Sequence, residues 1–211
     1  MAGGIHSTSR PNFIDIDGTG RANWTLAQTE EYLRTLNHEE AYAFDKDGKM
    51  IGGVRGGATS VGIPVGWMAM DGITVTHSHP VGSAGFGGTL SINMDGKKAV
   101  GDLPVFAKTN WKEIRATARG KGEMNYILRQ NPNSRTQTFV NVMKGRMNTI
   151  EKNYRATYKT TFARVLKETG SSRAAARAAR QRATGLLARQ YKKTASKYGV
   201  EYITRKTPHE F

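Results

Sequence analysis

Gly72-Ile73-Thr74-Val75-Thr76-His77-Ser78-His79-Pro80 is the stretch on which the reading of this chain turns. Ile73, Val75 and two threonines are β-branched and suit a pleated, packed surface, so a central strand is expected over residues 72–76. It delivers His77 and His79 at its C-terminal end, and Pro80, which lacks an N–H, stops it. Side chains two apart on a strand point to the same face. Both imidazoles can therefore address one ion, as they do for zinc. An open zinc centre needs a third protein ligand and a carboxylate to handle protons. Acids stand upstream at Glu40, with Glu39 beside it, and downstream at Asp95 and Asp102.

Working outward, Thr25 and Gln28 form a capping-box pattern ahead of a helix over residues 26–36. Residues 40–44 and 50–54 flank Asp45-Lys46-Asp47-Gly48-Lys49, the signature of a hairpin around an Asp-Gly turn. The same run opens like a calcium loop but lacks the later ligands. A short strand is expected over residues 60–63. Beyond Pro80, residues 81–98 are a Gly-rich insertion with a small hairpin through residues 90–93 and a turn at Asp95-Gly96. Without a following Lys-Ser/Thr the insertion is not a phosphate loop. A helix over 102–109 and strands over 111–116 and 125–128, joined at Arg119-Gly120-Lys121-Gly122, complete a mixed α+β domain. His6, His38 and His209 suggest no partners.

After Asn131-Pro132-Asn133, Ser134 is placed to cap a long helix. Phe139, Met143, Met147, Ile150, Tyr154, Tyr158, Phe162 and Val165 recur at three- and four-residue intervals, one apolar stripe. Gly170 ends that helix and Ser171 or Ser172 caps a second. The second carries a weaker stripe, Ala175, Ala179, Leu186, Leu187, Tyr191 and Tyr198, and the two are expected to form a hairpin. Gly199 closes it ahead of a strand over 200–204. The domain reading is an extended, poorly ordered, flexible arm over 1–23, the α+β domain over 24–131 and the basic helical hairpin over 132–211.

Composition narrows the function. The apolar fraction of 37% is low for a chain globular throughout, which fits a folded domain with polar extensions. There is no cysteine, which excludes disulfides, Fe–S clusters, thiol nucleophiles and cysteine-ligated zinc. No apolar run is long enough to span a membrane, and the first residues lack a signal peptide's apolar core. A soluble protein made without secretion is expected. Charge is uneven: residues 134–211 hold 18 Lys and Arg against 4 acids, +14 of the chain's +15. Such a block attracts polyanions, and nucleic acid or an acidic protein face would suit it. Arg173, Arg177 and Arg180 share a helix face, and Arg182, Arg189, Lys192 and Lys193 extend the candidate nucleic-acid surface.

The residues Glu40-Ala41-Tyr42-Ala43-Phe44, Thr76-His77-Ser78-His79-Pro80, a downstream acid and Glu113-Ile114-Arg115 together resemble the JAB/JAMM (MPN) metalloprotease domains. The RadC-like and phage-encoded versions are the nearest in pattern, and Gly199-Val200-Glu201-Tyr202 resembles their closing Gly-X-X-Tyr. The resemblance covers residues 25–130 well. It implies a mixed, mostly antiparallel sheet with flanking helices, Zn²⁺ on His77 and His79, and Glu40 as general base. The third ligand it implies is Asp102, by its spacing to Glu113, with Asp95 the alternative. Ala99 stands where the family has a serine three residues before the aspartate, and Ser91 precedes Asp95 by four. The functional expectation is a bacteriophage virion structural protein of the head, portal or tail. Its partners would be other virion proteins in a multi-subunit assembly and genomic DNA, in the particle or the host cytoplasm. The alternative is an active zinc-dependent isopeptidase or peptidase, or an effector delivered with the genome.

Overall fold

A computed structural model of the chain describes residues 4–80, 91–92, 98–99, 101–119 and 124–206. The insertion over 81–90, Asp95 with its turn, the turn at Gly120-Lys121-Gly122, and His209 lie outside the described residues. The elements run β1 (Gly4–Thr8), β2 (Phe13–Ile14), α1 (Leu26–Leu33), β3 (Glu40–Phe44), β4 (Met50–Arg55), β5 (Ser60–Pro64), α2 (Val65–Met68) and β6 (Thr74–His79). They continue β7 (Ser91–Ile92), β8 (Lys98–Ala99), α3 (Asp102–Ala107), β9 (Glu113–Ala118), β10 (Met124–Gln130), α4 (Thr136–Thr169), α5 (Ser172–Ser196) and β11 (Val200–Lys206).

Seven strands form one sheet in the order β11-β10-β9-β6-β3-β4-β2. Its neighbours are antiparallel except β6 and β9, which run parallel. The fold is thus α+β with a mostly antiparallel sheet and two C-terminal helices. β6 is longer than the β-branched run that announces it and includes both histidines. Parallel neighbours need a crossover, and here it includes α3, which returns the chain beside β6.

Every residue of β6 is buried, because both sheet faces are covered. Alternation assigns the faces. Ala41, Ala43, Val75, Ile114, Ala116, Tyr126 and Leu128 join one core with residues of β1, α3, α4 and α5. Tyr42, Phe44 and Met50 pack on the other face with Leu33 and Leu36. The α1 side also holds a buried ionic group. Arg115 donates to both carboxylate oxygens of Glu30 and to Glu113, and Asn125 donates to Glu30.

Local signals explain the boundaries. Thr25 and Gln28 form both bonds of the capping box at α1. Asp45 Oδ1 accepts from the amides of Asp47 and Lys49 at 2.9 Å, so this carboxylate is used in the β3–β4 turn. Gly170, at φ 66°, ends α4 in the left-handed region, and Ser171 caps α5 at Ala174. Ser134 does not cap α4. Arg135 holds that position without a side-chain bond, and the Ser134 hydroxyl pairs instead with Thr136.

Within the segment expected as a flexible arm, the described residues 4–23 instead include two paired strands followed by turns. β1 lies parallel to β5 and β2 lies antiparallel to β4, held by the burial of Ile5 and by backbone bonds that composition does not reveal. The C-terminal helices share their core with the sheet. Phe139, Val140, Met143, Leu187, Tyr191 and Ala195 all belong to it, and β11 forms the sheet's edge. Farther along α4, Tyr154, Tyr158, Phe162 and Val165 are only half-buried.

Glu30 and Arg115 are 5% and 6% exposed, so removing one partner leaves the other buried without its ion pair. Glu30→Ala should cost about 3–5 kcal/mol, read as a lower urea midpoint at unchanged m. A loss below about 1 kcal/mol, the range of surface pairs, would show that the group is solvated.

Candidate metal centre

The register places the centre. Ala41 stands opposite His77 in the β3–β6 pair, so Ala41 and His77 share a face, and His79 joins them two residues on. α3 then sets its first residue, Asp102, over that face. The backbone N–H of Ile5 donates to Asp102 Oδ1 at 2.9 Å, tying β1 to the same carboxylate. His77 Nε2 lies 2.9 Å from His79 Nε2 and 3.2 Å from Asp102 Oδ1, and His79 Nε2 lies 3.7 Å from Oδ2. The three residues are at most 1% exposed. Their ligand atoms all lie within 4.8 Å of one another, so the group could hold a metal ion.

The electrostatics suit a cation. Burial pushes the His77 pKa down despite the neighbouring Asp102, which favours the neutral ring that a metal requires. Burial opposes ionisation of Asp102, but the two histidines outweigh it and hold its carboxylate below the usual range. His77 Nδ1 is buried without a hydrogen-bond partner, although the backbone of Arg115 on β9 favours the charged ring. Tyr191 of α5 is also fully buried. Burial, then the charge of Asp102, raises its pKa, so the second C-terminal helix bears on the centre.

The structure brings His77, His79 and Asp102 together but does not bring Glu40 to them. Odd and even residues of β3 face opposite ways. Glu40 turns with Tyr42 toward the α1 side. There its carboxylate meets His38 Nε2 at 2.9 Å, Arg55 Nε at 3.0 Å, Tyr42 Oη at 2.9 Å and Arg21 at 3.8 Å. Burial raises its pKa, but His38, Tyr42 and Arg55 more than offset this and hold it ionised. Ser78, between the two histidines, also serves that side. It accepts from the Glu40 amide at 2.9 Å and donates to the His38 carbonyl at 3.0 Å.

Glu39 is the acid that sequence reasoning passed over. It precedes Ala41 by two residues and so falls on the histidine face. It is fully buried, and neither carboxylate oxygen has a hydrogen-bond partner. Burial, then the charge of Asp102, pushes its pKa up to about 9. The signal that could have found it is parity, since Glu39 and not Glu40 shares the phase of Ala41 opposite His77. Arg173, Arg177, Arg180, Arg182, Arg189, Lys192 and Lys193 are all exposed along α5.

Among the described residues, no helix is long and apolar enough to cross a membrane. Compared with family models, curated proteins and solved structures, the chain matches none.

The raised pKa of Glu39 has a sign that can be measured. Below the ordinary carboxyl range, folded and unfolded chains both hold this proton, and its full stabilisation is present. As pH rises toward about 9 the folded chain retains the proton that the unfolded chain has lost, so stability falls. Metal-free protein should lose up to about 1.4 kcal/mol per pH unit across that window from this group, followed by denaturant unfolding at pH 5, 7 and 9. Glu39→Gln should flatten the dependence. An unchanged slope in that variant would mean that Glu39 is solvated.

Proposed function

We propose that the chain is a zinc-dependent hydrolase of the JAB/MPN metallopeptidase type. In this reading His77, His79 and Asp102 hold the ion, and Glu39 is the general base. One observation carries it. A fully buried carboxyl with both oxygens unpartnered costs stability, and the Glu39 carboxyl feels the charge of Asp102, a member of the group of residues able to bind a cation. A buried acid with no structural partner beside such a group has a use in proton transfer.

The donor set fits zinc. Two imidazoles and one carboxylate are three protein ligands of the kind that catalytic zinc sites employ. A bound zinc ion supplies Lewis acidity and brings the ionisation of water toward neutral pH. Asp102 is held in place by the Ile5 amide and by the start of α3, which orients its second oxygen toward His79. The Glu39 carboxyl is protonated in the metal-free chain. Near the positive charge of a cation held by His77, His79 and Asp102 it would ionise, take a proton from water and pass it to the leaving amine. Glu40 takes a separate role: its bonds to Arg55, His38 and Tyr42 secure the start of β3, and so the position of Glu39.

A second reading keeps the metal and drops turnover: a scaffold in a phage particle that retains the centre. It is favoured by Ala99, which offers no hydroxyl where the resemblance calls for serine.

One experiment separates the two. Zinc content should be close to one per chain and fall to background in the double variant His77→Ala/His79→Ala. Zinc-loaded protein should hydrolyse members of a fluorogenic peptide library. Glu39→Gln should lower kcat by about 10²–10⁴-fold, the usual worth of general base catalysis, with zinc retained. Zinc binding without turnover of any peptide would leave the scaffold reading. Zinc in the double histidine variant equal to wild type would end both.

A further inference from the structure

The strongest feature outside the metal centre is a concave cleft between α4 and α5. Its volume is about 520 Å³. Arg146 of α4, Lys193 of α5 and Lys197, the C-cap of α5, line it together with Thr149, Asn153 and Gln190. No Asp or Glu is among the described residues that line it. Arg146 Nη1 lies 3.5 Å from the Thr194 hydroxyl, which also lines the cleft. Lys193 and Lys197 stand one helical turn apart, about 6 Å along the axis.

We propose that this cleft binds the backbone phosphates of nucleic acid. Three cations without an opposing carboxylate form a site for a multivalent anion. The Asn153 and Gln190 amides and the Thr149 hydroxyl add neutral donors, which phosphate oxygens use and which a purely charge-driven contact would not need. Two lysines one helical turn apart, with an arginine on the neighbouring helix, suit successive phosphates better than a single ion. Among the described residues that line the cleft there is no aromatic ring on which to stack a base, and recognition through phosphates is independent of sequence. The surrounding charge supports this, with 18 basic against 4 acidic residues from residue 134 onward. This assignment places contact residues, Arg146 and Lys197, outside the run from Arg173 to Lys193 that composition singles out.

The test uses the full chain and a fluorescein-labelled 20-base-pair duplex, with binding followed by anisotropy between about 50 and 200 mM salt, where phosphate contacts dominate. The triple variant Arg146→Gln/Lys193→Gln/Lys197→Gln is compared with Arg173→Gln/Arg177→Gln/Arg182→Gln, which removes the same charge elsewhere. Both sets of side chains are exposed, and far-UV circular dichroism checks the fold. Losing three phosphate contacts should flatten log affinity against log salt by about 2.7, a difference of about 40-fold across that salt range. Should the triple variant fail to fold, Lys197→Gln alone should flatten it by about 0.9. The proposal is overturned if the distal variant flattens the slope as much, since the charge would then act diffusely. It is overturned equally if no duplex binds at about 50 mM salt, or if the cleft variant loses binding to polyglutamate and not to duplex. The last result would assign the cleft to an acidic protein.

Discussion

The burial of β6 on both faces, between β3 and β9, is the constraint from which the rest of the molecule follows. A strand covered on both sides must satisfy its backbone through its neighbours and send each side chain into one of two interiors. Here the two interiors differ. Val75, His77 and His79 enter the side roofed by α3 and the C-terminal helices, whereas Thr74, Thr76 and Ser78 enter the side of α1. The parallel partner β9 obliges the chain to cross over, and that crossover carries Asp102 to the histidines. A one-residue slip of β6 would exchange the two sets of side chains. The two histidines would then face the Glu30–Arg115 group, and the candidate metal centre would not form.

Glu39 and Glu40 show how strongly a face decides the chemistry of a residue. The two are adjacent, identical and buried. Glu40 is surrounded by an arginine, a histidine and a tyrosine that repay its desolvation, and it stays ionised. Glu39 has no such partner, and its proton is bound far more tightly. The first acid secures the strand by hydrogen bonds. The second has two unpartnered oxygens and feels the charge of Asp102.

The C-terminal helices combine a packed base with a charged exterior. Near the sheet, Phe139, Met143 and Leu187 are core residues, and Tyr191 stacks on Tyr202 of β11 at 5.0 Å. Farther out, alanines of α5 at 175, 179 and 183 meet α4, and the cations face solvent. The charged helical pair is thus anchored in the core of the sheet, with Tyr191 buried near enough to Asp102 to feel its charge.

Legible in the chain alone were the α+β class, the hairpin around Asp45–Lys49, the helix ends at Thr25 and Gly170, and the meeting of two histidines on one face; the choice of Ser171 over Ser172 as the second cap was left to the structure. Each depends on contacts between near neighbours in the chain, or on the period of a strand, which need no knowledge of the rest. The same is true of the charge asymmetry. Only the tertiary structure decided which glutamate belongs to the centre, because that depends on the register of β3 against β6. Only it revealed that the first residues pair as strands, since β1 is held by a partner more than fifty residues away. It also placed Arg146 against Lys193, through the packing of two helices whose relative rotation no local pattern encodes. Long-range register and helix rotation are set by the total burial of all faces at once, and that quantity belongs to the folded chain as a whole.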